Sequence, residues 1–145
     1  MKLYFDECCS PRLPRVLKEA FSGLETCHVL DFYDRGTAES KWLQPLHDDR
    51  SWIVITNDRS RNPKKEKFHL VCAALGITHV VLTPTLINAG YDEQKAALLA
   101  VFDQLTTLHN LPPGTRVRLG FKESKVAGSY ALRVGGKLLA SVLPN

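Results

Sequence analysis

Apolar runs alternating with short polar stretches divide the chain into strand-like and helix-like pieces. "KLYF" (2–5) reads as a short strand, and Ser10 and Pro11 after it have the chemistry of an N-cap and a first-turn proline. Leu13, Val16, Leu17, Ala20 and Phe21 recur at helical spacing, while Arg12, Arg15, Lys18 and Glu19 take the other positions; this predicts a helix with one face on a sheet. "CHVLDFY" (27–33) predicts the second strand. A glycine turn leads into a second helix from Thr37 or Ala38, with Glu39, Trp42, Leu43 and Leu46 inward and Pro45 bending or ending it. "SWIVITN" (51–57) is the most continuously apolar strand, as in a parallel sheet covered on both faces. Asn62 and Pro63 repeat the cap-and-proline signal. Phe68, Val71, Cys72 and Leu75 then give a third helix its buried stripe, and Gly76 ends it. "THVVLT" (78–83) predicts a fourth strand. One long helix is expected from Asp92 to His109, with Leu98, Val101, Phe102, Leu105 and Leu108 inward.

Four strand-then-helix units predict an α/β three-layer sandwich around a mainly parallel central sheet, with right-handed crossovers. The pattern changes after "NLPPG" (110–114). "TRVRLGF", "YALRV" and "KLLASVL" read as strands, the last two joined by a two-residue Gly-Gly hairpin turn. The expected organisation is a single domain over 1–145, with an α/β core over 1–110 and a β-rich C-terminal hairpin extension over 115–143. Apolar residues on that extension must cover the core or present a partner surface, and Tyr130 and Arg133 are the anchors expected of a homodimer or partner-protein interface.

Composition narrows the class only modestly. With 145 residues, 44% hydrophobic and 23% charged, the chain fits one folded domain and not a disordered segment. A net charge of +4 is compatible with nucleic acid or an acidic protein and does not choose between them. Cys8, Cys9, Cys27 and Cys72 form no C-x-x-C pair and read as buried reduced thiols. No leader-like or membrane-length apolar run is present, so the expectation is a cytoplasmic protein without membrane contact.

The chemistry lies in the acids. Functional groups of an α/β sheet collect outside the carboxyl ends of its strands. Asp6 and Glu7 follow the first strand, Asp31 and Asp34 the second, and Asp58 the third. Glu39 shares the inward helical face of Trp42 and Leu43, so Asp6, Glu39 and Asp58 can converge at one rim. Clustered carboxylates repel unless a cation sits among them, and oxygen ligands favour Mg²⁺ or Mn²⁺. Ordinary roles compete. Asp58 also suits an Asx turn, Glu39 suits the first turn of a helix, and Glu7, Asp31 and Asp34 suit solvated loops. Immediately after Asp58 come Arg59, Arg61, Lys64, Lys65 and Lys67, with Arg12 and Arg15 approaching from the first helix, as needed to hold phosphates beside a metal.

The runs "FDECCSPRLPRVLKEAF", "TAESKWL" and "WIVITNDRS" resemble the PIN-like nuclease domains, in particular the small bacterial branch similar to VapC-type toxins. The resemblance covers residues 2–83. It implies a Mg²⁺- or Mn²⁺-dependent endoribonuclease with Asp6, Glu39 and Asp58 as metal ligands, and with a small antitoxin protein as partner. Thr56 matches the family's small hydroxyl residue near the metal, beside Asn57. The usual fourth acid after the fourth strand is missing from "VVLTPTLINAGYDE". That departure keeps open a catalytically weak or inactive RNA- or protein-binding module. A phosphatase or receiver-like protein, which also carries acids after strands one and three, would need a lysine that "VVLTPT" lacks.

Overall fold

In the computed structural model, the residues described are 2–47, 49, 51–57, 66–100, 102–105, 108–120, 131–134 and 137–143. Seven strands form one sheet in the order β2-β1-β3-β4-β5-β7-β6: β1 (Lys2–Phe5), β2 (Glu25–His28), β3 (Trp52–Thr56), β4 (His79–Leu82), β5 (Arg116–Leu119), β6 (Ala131–Val134) and β7 (Lys137–Leu143). The first five strands in that order pair in parallel, and β7 then runs antiparallel to both β5 and β6. The strand expected to open a C-terminal extension is thus the fifth parallel strand, locked to β4 from His79–Arg116 to Leu82–Leu119.

Strand alternation sorts the core into two clusters. Leu3, Phe5, Ile53, Ile55, Val80 and Leu82 point to one face, where α1 (Arg12–Ala20) brings Leu13 and Leu17. That face also holds α4 (Pro84–Ala89), α5 (Tyr91–Ala100) and α6 (Phe102–Leu105) through Leu86, Leu98 and Leu105. Phe21 and Phe102 stack there at 3.5 Å between ring centroids. On the opposite face Tyr4 and Val54 meet Trp42 and Leu43 of α2 (Glu39–Leu43) and Phe68 and Cys72 of α3 (Phe68–Leu75).

Several elements differ from the sequence expectation, each for a local reason. Ser10 does act at the start of α1, its Oγ accepting the Arg12 N–H at 3.2 Å, with Pro11 between them. The second strand stops at His28 because a cap forms: His28 Nδ1 accepts the Leu30 N–H, and Asp31 accepts the His28 N–H at 2.9 Å, closing a 3-10 turn over Val29–Asp31. Pro45 turns the end of α2 into a 3-10 turn over Gln44–Leu46, which keeps Leu46 buried. Gly76 ends α3 at φ +69 as expected. The Asn62-Pro63 signal lies outside the described residues. The helix expected from Asp92 is met by α5 from Tyr91 and by α6, with Val101 between them outside the described residues, and a 3-10 turn lies over Leu108–Asn110. Ahead of it stands an unexpected α4, capped by Thr83 through the Leu86 N–H with Pro84 behind it, and Gly90 at φ +94 separates α4 from α5.

The two crossovers that flank β4 also differ in hand. Leu86 packs with Leu82 on the α1 face, whereas α3 lies on the other face, yet both connections step in the same direction along the sheet. The β4-to-β5 crossover therefore has the opposite hand to the β3-to-β4 one, against the expectation of uniform right-handed units. Of the four thiols, Cys9 and Cys72 are buried as expected, while Cys27 is half-buried and Cys8 is exposed. Among the described residues no helix is long and apolar enough to cross a membrane.

His79 makes the fold sensitive to acid. Its ring is fully buried against Phe68, Nδ1 lies 3.2 Å from the Ile77 carbonyl, and burial lowers its pKa from 6.5 to about 4. The unfolded chain then binds the proton more readily, so this contribution is complete above about pH 6.5 and is lost as pH falls toward 4. Urea unfolding of wild type should lose about 3 kcal/mol more stability across that window than His79→Phe does. Parallel pH profiles for the two proteins would remove His79 as the cause.

Candidate functional site

The strand order places a topological switch between β1 and β3: the chain leaves β1 toward β2 on one side and later enters β3 on the other. Asp6 and Asn57 stand at the carboxyl ends of these two strands. The Asp6 N–H donates to the Ile55 carbonyl at 3.0 Å, extending the β1–β3 ladder by one residue, and a turn begins where the Asp6 carbonyl accepts the Cys9 N–H.

The Asp6 carboxylate is 1% exposed. A buried carboxylate is costly unless donors replace its water. Oδ1 accepts the Glu7 N–H at 2.6 Å and Oδ2 accepts the Thr56 hydroxyl at 2.7 Å. Thr56, the last residue of β3, is itself fully buried, so its hydroxyl is a fixed donor. Glu39 opens α2 and is 6% exposed; its Oε2 accepts the Trp42 indole N–H at 3.0 Å, one helical turn on. Trp42 stacks in turn on Tyr4 of β1, at 5.2 Å between centroids.

Asp6 and Glu39 belong to one electrostatic neighbourhood. Burial raises the Cys72 thiol pKa well above its ordinary value, and the charges of Glu39 and then Asp6 push it further. Cys9 is raised in the same way by burial and then by Asp6.

The backbone around these acids is tightly tied. Asn57 Nδ2 donates to the Cys8 carbonyl at 3.0 Å, and the Cys9 thiol lies 3.6 Å from the Ile55 carbonyl. His28 Nε2 lies 2.8 Å from the Cys9 carbonyl; since Nδ1 accepts the Leu30 N–H, the ring proton belongs on Nε2. Glu7 turns outward, and both its oxygens accept the Gly36 N–H, at 3.3 and 3.2 Å.

The expected site residues fare differently. Asp6, Thr56 and Glu39 are described and buried on the α2/α3 face. Asp58 and the cations Arg59, Arg61, Lys64 and Lys65 lie outside the described residues. Their described flanks both meet this rim, Asn57 at Cys8 and Glu66 through a 3.0 Å bond from the Ser40 hydroxyl beside Glu39. Arg12 is exposed with its guanidinium over the Tyr91 ring at 4.0 Å, on the α1 side. Of the reserve acids, Asp31 serves the cap at His28 and Glu7 holds Gly36. Among the described residues no group of three or more His, Cys, Asp or Glu is placed to hold a metal ion.

Sequence reasoning named Asn57 but missed His28 and Cys9, which complete its brace. Its only visible signal was H-x-x-D at 28–31, a capping pattern. Also missed were Arg116 and Arg118, which the pairing of β5 with β4 brings onto the same sheet face as Asp6 and Thr56.

Residues 1–82 match the family described as PIN like domain, the segment that runs from β1 through the end of β4. No curated protein and no solved structure matches the chain at significant similarity.

Thr56→Val removes the hydroxyl donor while keeping the side-chain shape, leaving a buried Asp6 oxygen one partner short. It should cost about 1–3 kcal/mol in urea unfolding at pH 7, whereas Thr56→Ser should keep most of that stability. Equal stability for Thr56→Val and wild type would mean that water serves Asp6 instead.

Proposed function

The chain belongs to the PIN-like domain family, and from that membership we propose that it is an RNA-binding module of the nuclease superfamily whose catalytic power is weak or lost. The observation that carries this reading is the engagement of its acids. Both Asp6 oxygens accept protein donors, and Glu39 accepts the Trp42 indole N–H. These bonds suit a rim that is held rigid. Among the described residues, moreover, no group of three or more His, Cys, Asp or Glu is placed to hold a metal ion. The net charge of +4 and the cations that follow Asp58 in sequence supply the attraction for phosphate.

A second reading, the metal-dependent endoribonuclease, is favoured by a separate observation. Asp6 and Glu39 are buried close enough to act on the same Cys72 thiol, and the donors are oxygens of the kind that Mg²⁺ and Mn²⁺ take. In kind the residues fit such an ion; in number they need Asp58. Asp6, Glu39 and Asp58 would hold it, and when bound it would supply an activated water and neutralise charge on the phosphate. In that reading Thr56 positions Asp6, Trp42 positions Glu39, and Arg59, Arg61, Lys64 and Lys65 hold the strand. The toxin role, with an antitoxin partner or a homodimer through 116–143, belongs to this second reading and rests on resemblance; the match over 1–82 is to the PIN-like domain at large.

RNA binding and RNA cleavage, measured on one preparation, separate the two. The binding-module reading expects total RNA to be retained in EDTA equally by wild type and Asp6→Asn, and added Mn²⁺ to give no more cleavage with wild type than with the variant. Mn²⁺- or Mg²⁺-stimulated cleavage lost in Asp6→Asn, Glu39→Gln and Asp58→Asn would replace it with the nuclease.

A further inference from the structure

Parallel pairing carries one row of the sheet across four strands. Asp6 extends β1 beside Thr56, Thr56 is paired with Val81, and Val81 with Arg118. Val80 and Leu82 point into the α1-side cluster, so Val81 and its row face the α2/α3 side. Arg118 therefore stands two strand spacings from Thr56 on the same face, about 10 Å between backbones. The neighbouring row repeats the arrangement with Val54, His79 and Arg116.

These two arginines have no acidic partner among the described residues, where the single ion pair is Lys2–Asp49 at the other end of β1. Arg116 is half-buried, and its Nε is buried without an acceptor. Desolvation and then the charge of Arg118 lower the Arg116 pKa, as expected when two guanidinium groups share a surface without a counter-ion. A desolvated, unpaired guanidinium is costly by itself and strongly favourable to an oxyanion, which it can take by two parallel N–H bonds.

We propose that Arg116 and Arg118 form an anion subsite that takes a backbone phosphate of the single-stranded nucleic acid lying across the β3–β5 end of the sheet. This rests on the RNA-binding reading. It deepens that reading by giving the strand a direction: from the acidic rim over β1 and β3, across β4, to the arginines of β5. It also gives the segment beyond the family match a role in the site itself.

The test uses the full chain with a short fluorescent single-stranded RNA in EDTA, read by anisotropy across a salt series, together with thermal shift in inorganic phosphate against chloride at equal ionic strength. Arg118→Gln should bind the RNA about tenfold more weakly than wild type. Its log-affinity slope against log salt should fall by about 0.7, the loss of one phosphate contact on a single strand. Arg118→Lys should keep the slope and lose part of the affinity. Lys18→Gln, which removes one exposed cation from α1, serves as the control for net charge. Should Arg118→Gln and Arg116→Gln both bind RNA as wild type does, with the same slope, the subsite is overturned while RNA binding stands. Absence of RNA binding by wild type, with a phosphate-dependent thermal shift that Arg118→Gln abolishes, would keep the anion site and remove the RNA reading. No phosphate shift and no RNA binding would overturn both.

Discussion

A carboxylate shut away from water dictates the local design around it. Asp6 sits at the join of β1 and β3, and a charge there is tolerated only if fixed dipoles replace the solvent it has lost. The Thr56 hydroxyl and the Glu7 N–H are those dipoles. Their supply constrains much else: β3 must end on a hydroxyl residue in register with Asp6, and the chain after Asp6 must turn at once so that the next N–H points back. The turn is then clamped by Asn57 from β3 and by His28 from β2. Three strands thus have their ends fixed relative to one another by the needs of a single side chain.

Glu39 reaches the same region by a different route. Its place follows from helical spacing alone, because a residue one turn before a buried tryptophan shares that tryptophan's face. The indole N–H would be unsatisfied in the core without an acceptor, and the Glu39 carboxylate supplies one. The two acids are therefore placed by independent structural devices, one a sheet register and one a helical turn.

How much of this could be read in advance follows from the range of the interactions. Periodicity located β1, β3, β4, α1 and α2, because strand alternation and helical stripes are local. It singled out Asp6 and Glu39 because those residues sit at the ends of the elements so located, whereas Thr56 came from the family resemblance. The short α4 ahead of Asp92 was missed although the sequence carried its signals, the Thr83-Pro84 cap and the Gly90 stop. The place of β5 was different in kind. "TRVRLGF" alternates like any edge strand of a hairpin, and nothing local distinguishes an antiparallel neighbour from a parallel strand returning after more than thirty residues. The arginines of β5 were invisible as site residues for that reason. The family match stops at residue 82, so the resemblance could not supply them either.

Asp6 and Glu7 are consecutive acids facing opposite ways. One oxygen set grips Thr56 inside the sheet, and the other grips the peptide at Gly36 outside it, where a φ of +80 gives the loop its bend. The peptide between them is also the Asp6 donor, since its N–H is the one that Oδ1 accepts. The bend ahead of α2 and the innermost carboxylate are therefore opposite ends of one short lever. The loop that carries the bend and the buried acid thus share one amide plane as their common support.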